Sequence, residues 1–287
     1  MNYSKKFIVE PGSRISLKDL DSSFSKKDVK KISSIQEIKK LQEKMDEFQF
    51  RLFTEKKHSL LIVLQAPDAG GKDGVVRHVI GSMNPQGCRV VSFKKPTQKE
   101  LAHDFLWRIK RQIPKPGEVV IFNRSHYEDV LVVRVHDLVP KEVWSTRYEQ
   151  INEFEQHLIE HDTYILKFLL HISKEEQLRR FKQRLDDPKR RWKISEADYA
   201  EREYWESYEE AYEEALYKCS TDKAPWFVIP SDQKWFRNLA ISQIIVETMQ
   251  KLNIEFPQPT VNIEDIRRNY HAAVHEGKKR KRRGATK

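Results

Sequence analysis

The sequence predicts a three-layer α/β/α sandwich built on a five-stranded, mainly parallel sheet. Five strand-length, largely apolar runs carry this expectation: Leu60–Leu64, Arg89–Phe93, Val119–Phe122, Tyr164–Ile172 and Trp226–Ile229. Helical stretches separate them, and strands alternating with helices imply parallel pairing through right-handed crossovers. The runs are apolar without alternation, as expected for strands covered on both faces.

The helices follow in order. Residues 34–55 carry Ile38, Leu41, Met45, Phe48 and Leu52 at spacings of three and four, an apolar stripe that buries one face. After the first strand, KDGVVRHVIGSM reads as a helix. Thr97 to Glu100 is a capping box opening a helix through Leu101, Phe105 and Ile109. A third helix follows Pro140 and runs through Tyr148, Ile151, Phe154 and Leu158. A second capping box, Ser173 to Glu176, opens the fourth. Residues 195–218 and 235–252 supply the last two, before Pro257. The expected organisation is an N-terminal surface extension at 1–32, a catalytic domain at 33–257 and a basic tail at 258–287.

Composition narrows the function. The 287 residues carry a net charge of +10, which favours a polyanionic partner. Part of the excess lies in the tail GKKRKRRGATK, expected to be a solvated block, so a charge-based function must use local clusters. Two cysteines are too few for a disulfide framework. No run of about 18 apolar residues exists to span a membrane, and MNYSKKFIVEPGS lacks the apolar run of a signal peptide. A soluble, cytoplasmic protein is expected.

Three segments carry chemistry, and all fall beyond the carboxyl ends of strands, where such sheets bind ligands. The first is QAPDAGGKDG, residues 65–74. It is a phosphate-binding loop with two departures: Ala66 replaces the first glycine, and Asp73 replaces the hydroxyl after the lysine. Ala69, Gly70, Gly71, Asp73 and Gly74 are expected to line the phosphates, and Lys72 to supply a point charge. Asp68 inside such a loop would repel phosphate unless a cation such as Mg²⁺ inverts the local charge. It is a candidate metal ligand, or it orients the attacking oxygen. Asp73 either holds metal through water or caps the helix.

The second segment is EVVIFNRSHYEDV, residues 118–130. Asn123 stands where nucleotide-binding loops of this kind place a Mg²⁺-binding aspartate. Arg124 can stabilise charge on a transferred group through its planar fork of donors, or it pairs structurally with Glu128 or Asp129. Glu128 and Asp129 can restore the charge that Asn123 lacks. His126 reads as a hydrogen-bonded structural histidine. The third segment, LRRFKQRLDDPKRRWKIS, holds eight Lys/Arg between Arg179 and Lys193. Arg180 and Arg184 lie one turn apart on a helix that Asp187 and Pro188 end. Arg191 and Lys193 follow in a loop, and residues 178–195 read as a lid that closes cations over phosphates. The aromatic helix with Tyr199, Trp205, Tyr208 and Tyr212 is expected chiefly to pack, with base stacking as the alternative.

Taken in order, QAPDAGGKDG, KKPTQKELAHDFLWR, GEVVIFNRSHYEDVLV, LRRFKQRLDDPKRRWK and APWFVIPSDQKWFRN resemble the second family of polyphosphate kinases, over roughly residues 35–257. Asn123 and Glu128 are similar to its class III type, where other classes usually show Asp-Arg-Ser-Trp-Tyr. The resemblance implies phosphorylation of AMP and ADP, giving ADP and ATP, with inorganic polyphosphate as donor. It implies Mg²⁺ dependence, with Mn²⁺ able to substitute, and a homodimer or homotetramer. It implies catalytic roles for Asp68, Lys72 and Arg124 and phosphate binding by the lid around Arg184; the metal ligands expected from the residues themselves are Asp68, Asn123 and Glu128. No specific nucleic acid or membrane partner is implied. An ATP-using nucleoside or nucleotide kinase and a non-enzymatic nucleic-acid-binding module are the competing readings. The adenine pocket is expected near Lys95, Pro96 and Thr97.

Overall fold

The computed structural model describes residues 2–25 and 31–284. Residues 26–30 of the expected N-terminal extension, and residues 285–287 of the tail, lie outside the described residues. In chain order the elements are α1 (Tyr3–Phe7), β1 (Ile8–Val9), α2 (Lys31–Glu55), β2 (Ser59–Gln65), α3 (Lys72–His78), β3 (Cys88–Ser92), α4 (Gln98–Leu101), α5 (Trp107–Lys110), β4 (Val119–Asn123), α6 (Val132–Val135), α7 (Lys141–Trp144), α8 (Arg147–Glu160), β5 (Thr163–His171), α9 (Lys174–Asp186), α10 (Glu196–Ala200), α11 (Trp205–Cys219), β6 (Trp226–Pro230), α12 (Lys234–Lys251) and α13 (Ile263–Gly284).

The sheet has six strands in the order β1-β6-β5-β2-β4-β3, not the expected five. All neighbours are parallel except β1, which pairs antiparallel with β6 through Ile8 and Val9. A strand of two residues has too few positions to show a period, so pattern reading misses it. It comes from the segment expected to wrap the surface. Tyr3, Phe7, Val9 and Leu17 are instead buried, and Tyr3 and Phe7 pack edge-on against Phe236 of α12.

Two apolar layers sandwich the sheet. Leu60, Ile62 and Leu64 of β2 point into one core with Met45 and Leu52 of α2 and Leu239, Ile241 and Ile245 of α12. Leu61 and Val63 point into the other, with Tyr148, Ile151 and Leu158 of α8 and Ala211, Ala215 and Leu216 of α11. The α2 stripe thus meets the sheet, as its spacing requires.

Three expected helices are broken. The helix at 97–109 divides into α4 and α5, because Asp104 accepts from the Leu106 amide at 3.0 Å and starts a new turn. The one after the phosphate loop stops at His78 and continues as a 3₁₀ turn at Ile80–Ser82. The one at 195–218 becomes α10, a 3₁₀ turn at Glu201–Tyr204, and α11. From Glu255 onward the described residues form a unit of their own. Within it the basic run, expected to be an irregular block, continues α13 to Gly284. No helix among the described residues is long and apolar enough to cross a membrane.

β2 leads outward to β3, and β4 leads back past β2 to β5. The carboxyl ends of β2 and β4 therefore flank the point where the winding reverses, where open sheets of this kind bind ligands.

Candidate active site

The loop after β2 is Ala66–Gly71, and α3 starts at Lys72. Gly71 sits at φ +108°, in left-handed space that other residues enter at a cost. Ala69 adopts φ +59° without that licence, a strained conformation of the sort that collects at ligand sites. The loop is held from outside by α9. Gln177 Nε2 donates to the Asp68 carbonyl at 2.8 Å, and Arg180 Nη1 donates to the carbonyls of Ala69 at 2.8 Å and Gly70 at 2.9 Å. The Gly70 amide closes the turn by donating to the Pro67 carbonyl at 3.0 Å, and with these carbonyls engaged the turn leads into the amino end of α3, the positive end that favours an anion.

Lys72 Nζ donates to the Ala66 carbonyl at 2.8 Å. Burial, followed by the Arg124 charge, pushes its ammonium down to about 8, against the opposing pull of Asp68, Glu128 and Asp73. A bound phosphate favours the charged form. Below pH 8 the ammonium is present and anions bind at full strength. As pH rises through 8 the empty site loses its proton, and affinity should fall by up to about tenfold per unit. The Kd for tripolyphosphate at pH 7 and pH 9 reads this directly, and a flat profile would remove Lys72 from the phosphate site.

β4 pairs in register with β2, with Asn123 opposite Leu64, so its end lies beside the loop. Arg124 follows at φ +62°, its amide donating to the Leu64 carbonyl at 3.1 Å. Its Nη2 donates to Asp68 Oδ1 at 2.9 Å, and its Nη1 lies 3.7 Å from Glu128 Oε2. Asp68 and Glu128 therefore flank one guanidinium. Asn123 is elsewhere: its Nδ2 donates to Asp73 Oδ1 at 3.1 Å, and Lys193 of the lid reaches Asp73 Oδ2 at 3.1 Å. Burial alone would raise the Asp73 carboxyl, but these two partners outweigh it and hold the group below its usual range. The three expected metal ligands thus divide into Asp68 with Glu128, and Asn123 with Asp73.

The lid cations also divide. Arg180 is buried; its Nε donates to Glu176 at 2.6 Å and its Nη2 to the Ser231 carbonyl. Arg184 donates to the Lys193 carbonyl and lies 3.6 Å from Asp198, and Arg191 donates to the Leu185 carbonyl. Arg184 and Arg191 hold the segment expected to be a lid to itself, while Lys193 reaches Asp73 at the start of α3.

A cleft opens beside Asp68, Arg124 and Glu128. Leu131, Val132, Leu169, Trp205, Tyr208 and Tyr212 give it apolar and aromatic walls, and Glu201 lies at its edge. Burial, with Glu201 next for Tyr208 and Glu128 next for Tyr212, raises both phenols far above their ordinary range, so they stay neutral. Lys95, Pro96 and Thr97 are not among the lining residues. Trp205, Tyr208 and Tyr212 line the cleft, Tyr199 does not, and Tyr208 and Tyr212 also pack against the core as expected.

Beneath the second loop lies a buried polar network. Lys167 Nζ donates to Glu155 at 2.5 Å, to the Cys219 carbonyl at 2.6 Å and to Tyr127 Oη at 3.0 Å. Glu155 also meets His126 Nε2 at 3.1 Å. Burial keeps His126 below its usual pKa despite that carboxylate, and its side chain is fully buried. Asp129 lies apart from Arg124, paired with Arg147 at 3.2 Å, and burial pushes its carboxyl up to about 6. The network ties the 125–129 turn to α8 and β5. Lys167→Met leaves Glu155 buried without its ammonium partner and should cost roughly 3–5 kcal/mol, read as a lower midpoint in denaturant.

Comparisons with known proteins show the family. Residues 28–257 match the family model described as polyphosphate kinase 2. The chain belongs to the polyphosphate kinase 2 family. It is 49% identical over 263 residues to the AMP/ADP-polyphosphate phosphotransferase of Meiothermus ruber, covering 91% of this chain and 98% of that one. It is 46% identical over 230 residues to the ADP-polyphosphate phosphotransferase of Rhodopseudomonas palustris, covering 76% and 80%. It superposes on the crystal structure of polyphosphate kinase 2 from Arthrobacter aurescens with a TM-score of 0.90 at 39% identity, over 96% and 97% of the two chains.

A polyphosphate kinase 2 chain is an enzyme, so the non-enzymatic reading is overturned. Kinase-type phosphotransferases use a divalent cation in general. The donors here suit a hard one. Asp68, Glu128 and Asp73 offer carboxylate oxygens at the loop, and the Asp73 side chain is 70% exposed at its mouth. Mg²⁺ takes one or two carboxylates with phosphate oxygens and water. A cage of three side-chain ligands is therefore not required, and none occurs among the described residues. Gln177, Leu131 and Val132 escaped the sequence reading, because nothing local marks a residue that reaches the loop or the cleft through tertiary packing.

Proposed function

We propose that this chain transfers phosphoryl groups from inorganic polyphosphate to AMP and then to ADP, forming ADP and ATP. The carrying observation is the row Asp68–Arg124–Glu128, which joins the phosphate loop to an aromatic cleft of the kind that holds a base. The relatives' names, and the likeness of Asn123 and Glu128 to the class III type, support AMP and ADP as acceptors.

In this reading the nucleoside lies against Trp205, Tyr208 and Leu131, with its terminal phosphate toward Arg124. The donor chain lies over the Gly71 turn and the amino end of α3, beside Lys72, with Lys193 closing from the lid. An oxygen of the acceptor's terminal phosphate attacks the donor's terminal phosphorus. The bond to the bridging oxygen breaks, and a polyphosphate shorter by one unit leaves. Arg124 holds the charge on the transferred group, and Lys72 holds the loop-side oxygens, so transfer rests on positioning and electrostatics. Asp68 and Asp73, with Glu128 behind Arg124, would hold Mg²⁺, or Mn²⁺ in its place, which supplies charge neutralisation between adjacent phosphates. A homodimer or homotetramer fits the family. A cytoplasmic location fits the two free cysteines, Cys88 and Cys219.

The test is purified protein with AMP, Mg²⁺ and long-chain polyphosphate, without ATP. ADP followed by ATP is expected. ADP alone would keep the donor and retract the second acceptor. Activity only with ATP and a nucleoside or nucleotide acceptor would establish the ordinary kinase reading instead.

A further inference from the structure

Arg237 lies near the start of α12 and is 2% exposed. Its guanidinium is pressed against the phosphate loop. A Cβ placed on Gly71 would fall on its Nη1, and one on Gly74 would come within 2.9 Å of its Nη2. Among the described residues its side-chain hydrogen bonds go to one neutral acceptor, Asn238 Oδ1, 3.1 Å from Nε and 2.8 Å from Nη2. No carboxylate among the described residues pairs with it. The neighbouring charge is a second cation, Arg180, whose own partner Glu176 is shared with Arg179. Burial first, and Arg180 next, push the Arg237 guanidinium down to about 9.

A buried cation without a counter-charge is costly, and a well-packed apolar side chain of similar volume would ordinarily serve stability better. Arg180 differs, since it braces the Ala69 and Gly70 carbonyls. Arg237 braces no loop carbonyl. What its position supplies is positive potential at Gly71 and Gly74, the turn expected to receive the phosphates.

We propose that Arg237 is a positioning residue of the phosphate site, an uncompensated buried charge whose counter-ion is the condensed phosphate bound in the loop. The inference rests on the reading of that loop as the donor site. It makes the empty protein less stable than its packing allows and couples its stability to a polyphosphate-like anion.

The experiment uses the full chain as wild type, Arg237→Met and Arg237→Lys. Thermal midpoints are measured with and without tripolyphosphate, together with kcat and KM for tripolyphosphate. Arg237→Met should have an anion-free midpoint at or above wild type, at most half of the tripolyphosphate-induced shift, and a KM raised about tenfold with kcat changed less. Arg237→Lys, which keeps the charge, should recover most of the shift. A methionine variant with a lowered anion-free midpoint and an unchanged shift would make Arg237 structural and overturn the proposal. If that variant does not fold, the lysine variant decides: a shift retained supports the proposal, and a shift lost overturns it. A wild type that tripolyphosphate does not stabilise would bring down the donor-site reading itself, and the inference with it.

Discussion

Arg124→Ala is expected to lower kcat by roughly 10²–10³-fold, the scale of losing one preorganised donor to a charge that develops during reaction. The arginine is held on three sides. Asp68 takes its Nη2 at 2.9 Å, Glu128 lies 3.7 Å from its Nη1, and its own amide is fixed to the Leu64 carbonyl. Its φ of +62° shows a backbone kept in a costly conformation to aim the side chain at the cleft. Alanine removes the donor and also leaves two carboxylates facing the incoming phosphates. Lysine restores a point charge without the planar fork and should recover only part of the loss. Folding should change little, because the side chain is partly exposed. Steady-state kinetics with AMP and polyphosphate read the effect; a kcat within a few-fold of wild type would falsify the role of Arg124.

Gly71→Ala should abolish polyphosphate binding at ordinary concentrations and lower stability by roughly 2–5 kcal/mol, combining left-handed backbone strain with overpacking. At φ +108° a side chain is strained whatever space surrounds it, and here the space is occupied. The new methyl would fall on Arg237 Nη1, and that guanidinium is buried and cannot swing into solvent. Either the loop opens or α12 shifts, and both misplace the amides that should face phosphate. Gly81→Ala is the matched control. Its Cβ would meet nothing closer than a carbonyl at 3.7 Å, so stability and KM should stay near wild type. Equal behaviour of the two variants would mean that the tight packing behind Gly71 has no part in holding the site.

Much of the site was legible because it is local. The run Leu60–Leu64, the glycine turn and Lys72 form one continuous strand–loop–helix segment, and its chemistry follows from residue order alone. Asn123 and Arg124 were legible for the same reason, since they end a strand whose apolar run is unambiguous. The capping box at Thr97 and the Ser173 cap started helices where expected, although at Ser173 only half of the expected box forms: its hydroxyl accepts from the Glu176 amide, while its own amide donates to Asp232. Where those helices stopped was less visible, because the apolar spacing continues across the break before Asp104.

The residues that escaped depend on partners distant in sequence. A period of 3.6 says that Arg180 and Arg184 share a face, but not which of them meets the loop. Docking of α9 put Arg180 on the loop carbonyls and left Arg184 bracing the lid. Arg237 sits far along the chain from Gly71 in a helix whose pattern speaks only of core. The pair Ile8–Val9 is too short to declare a strand and became one because β6 had a free edge. Sequence by itself determined the layered α/β architecture and where the two candidate loops fall on it, because strand hydrophobicity and turn geometry are properties of neighbours in the chain. Tertiary structure alone decided the sixth strand, the walls of the cleft and the cation behind the loop, because burial and charge compensation depend on which surfaces meet.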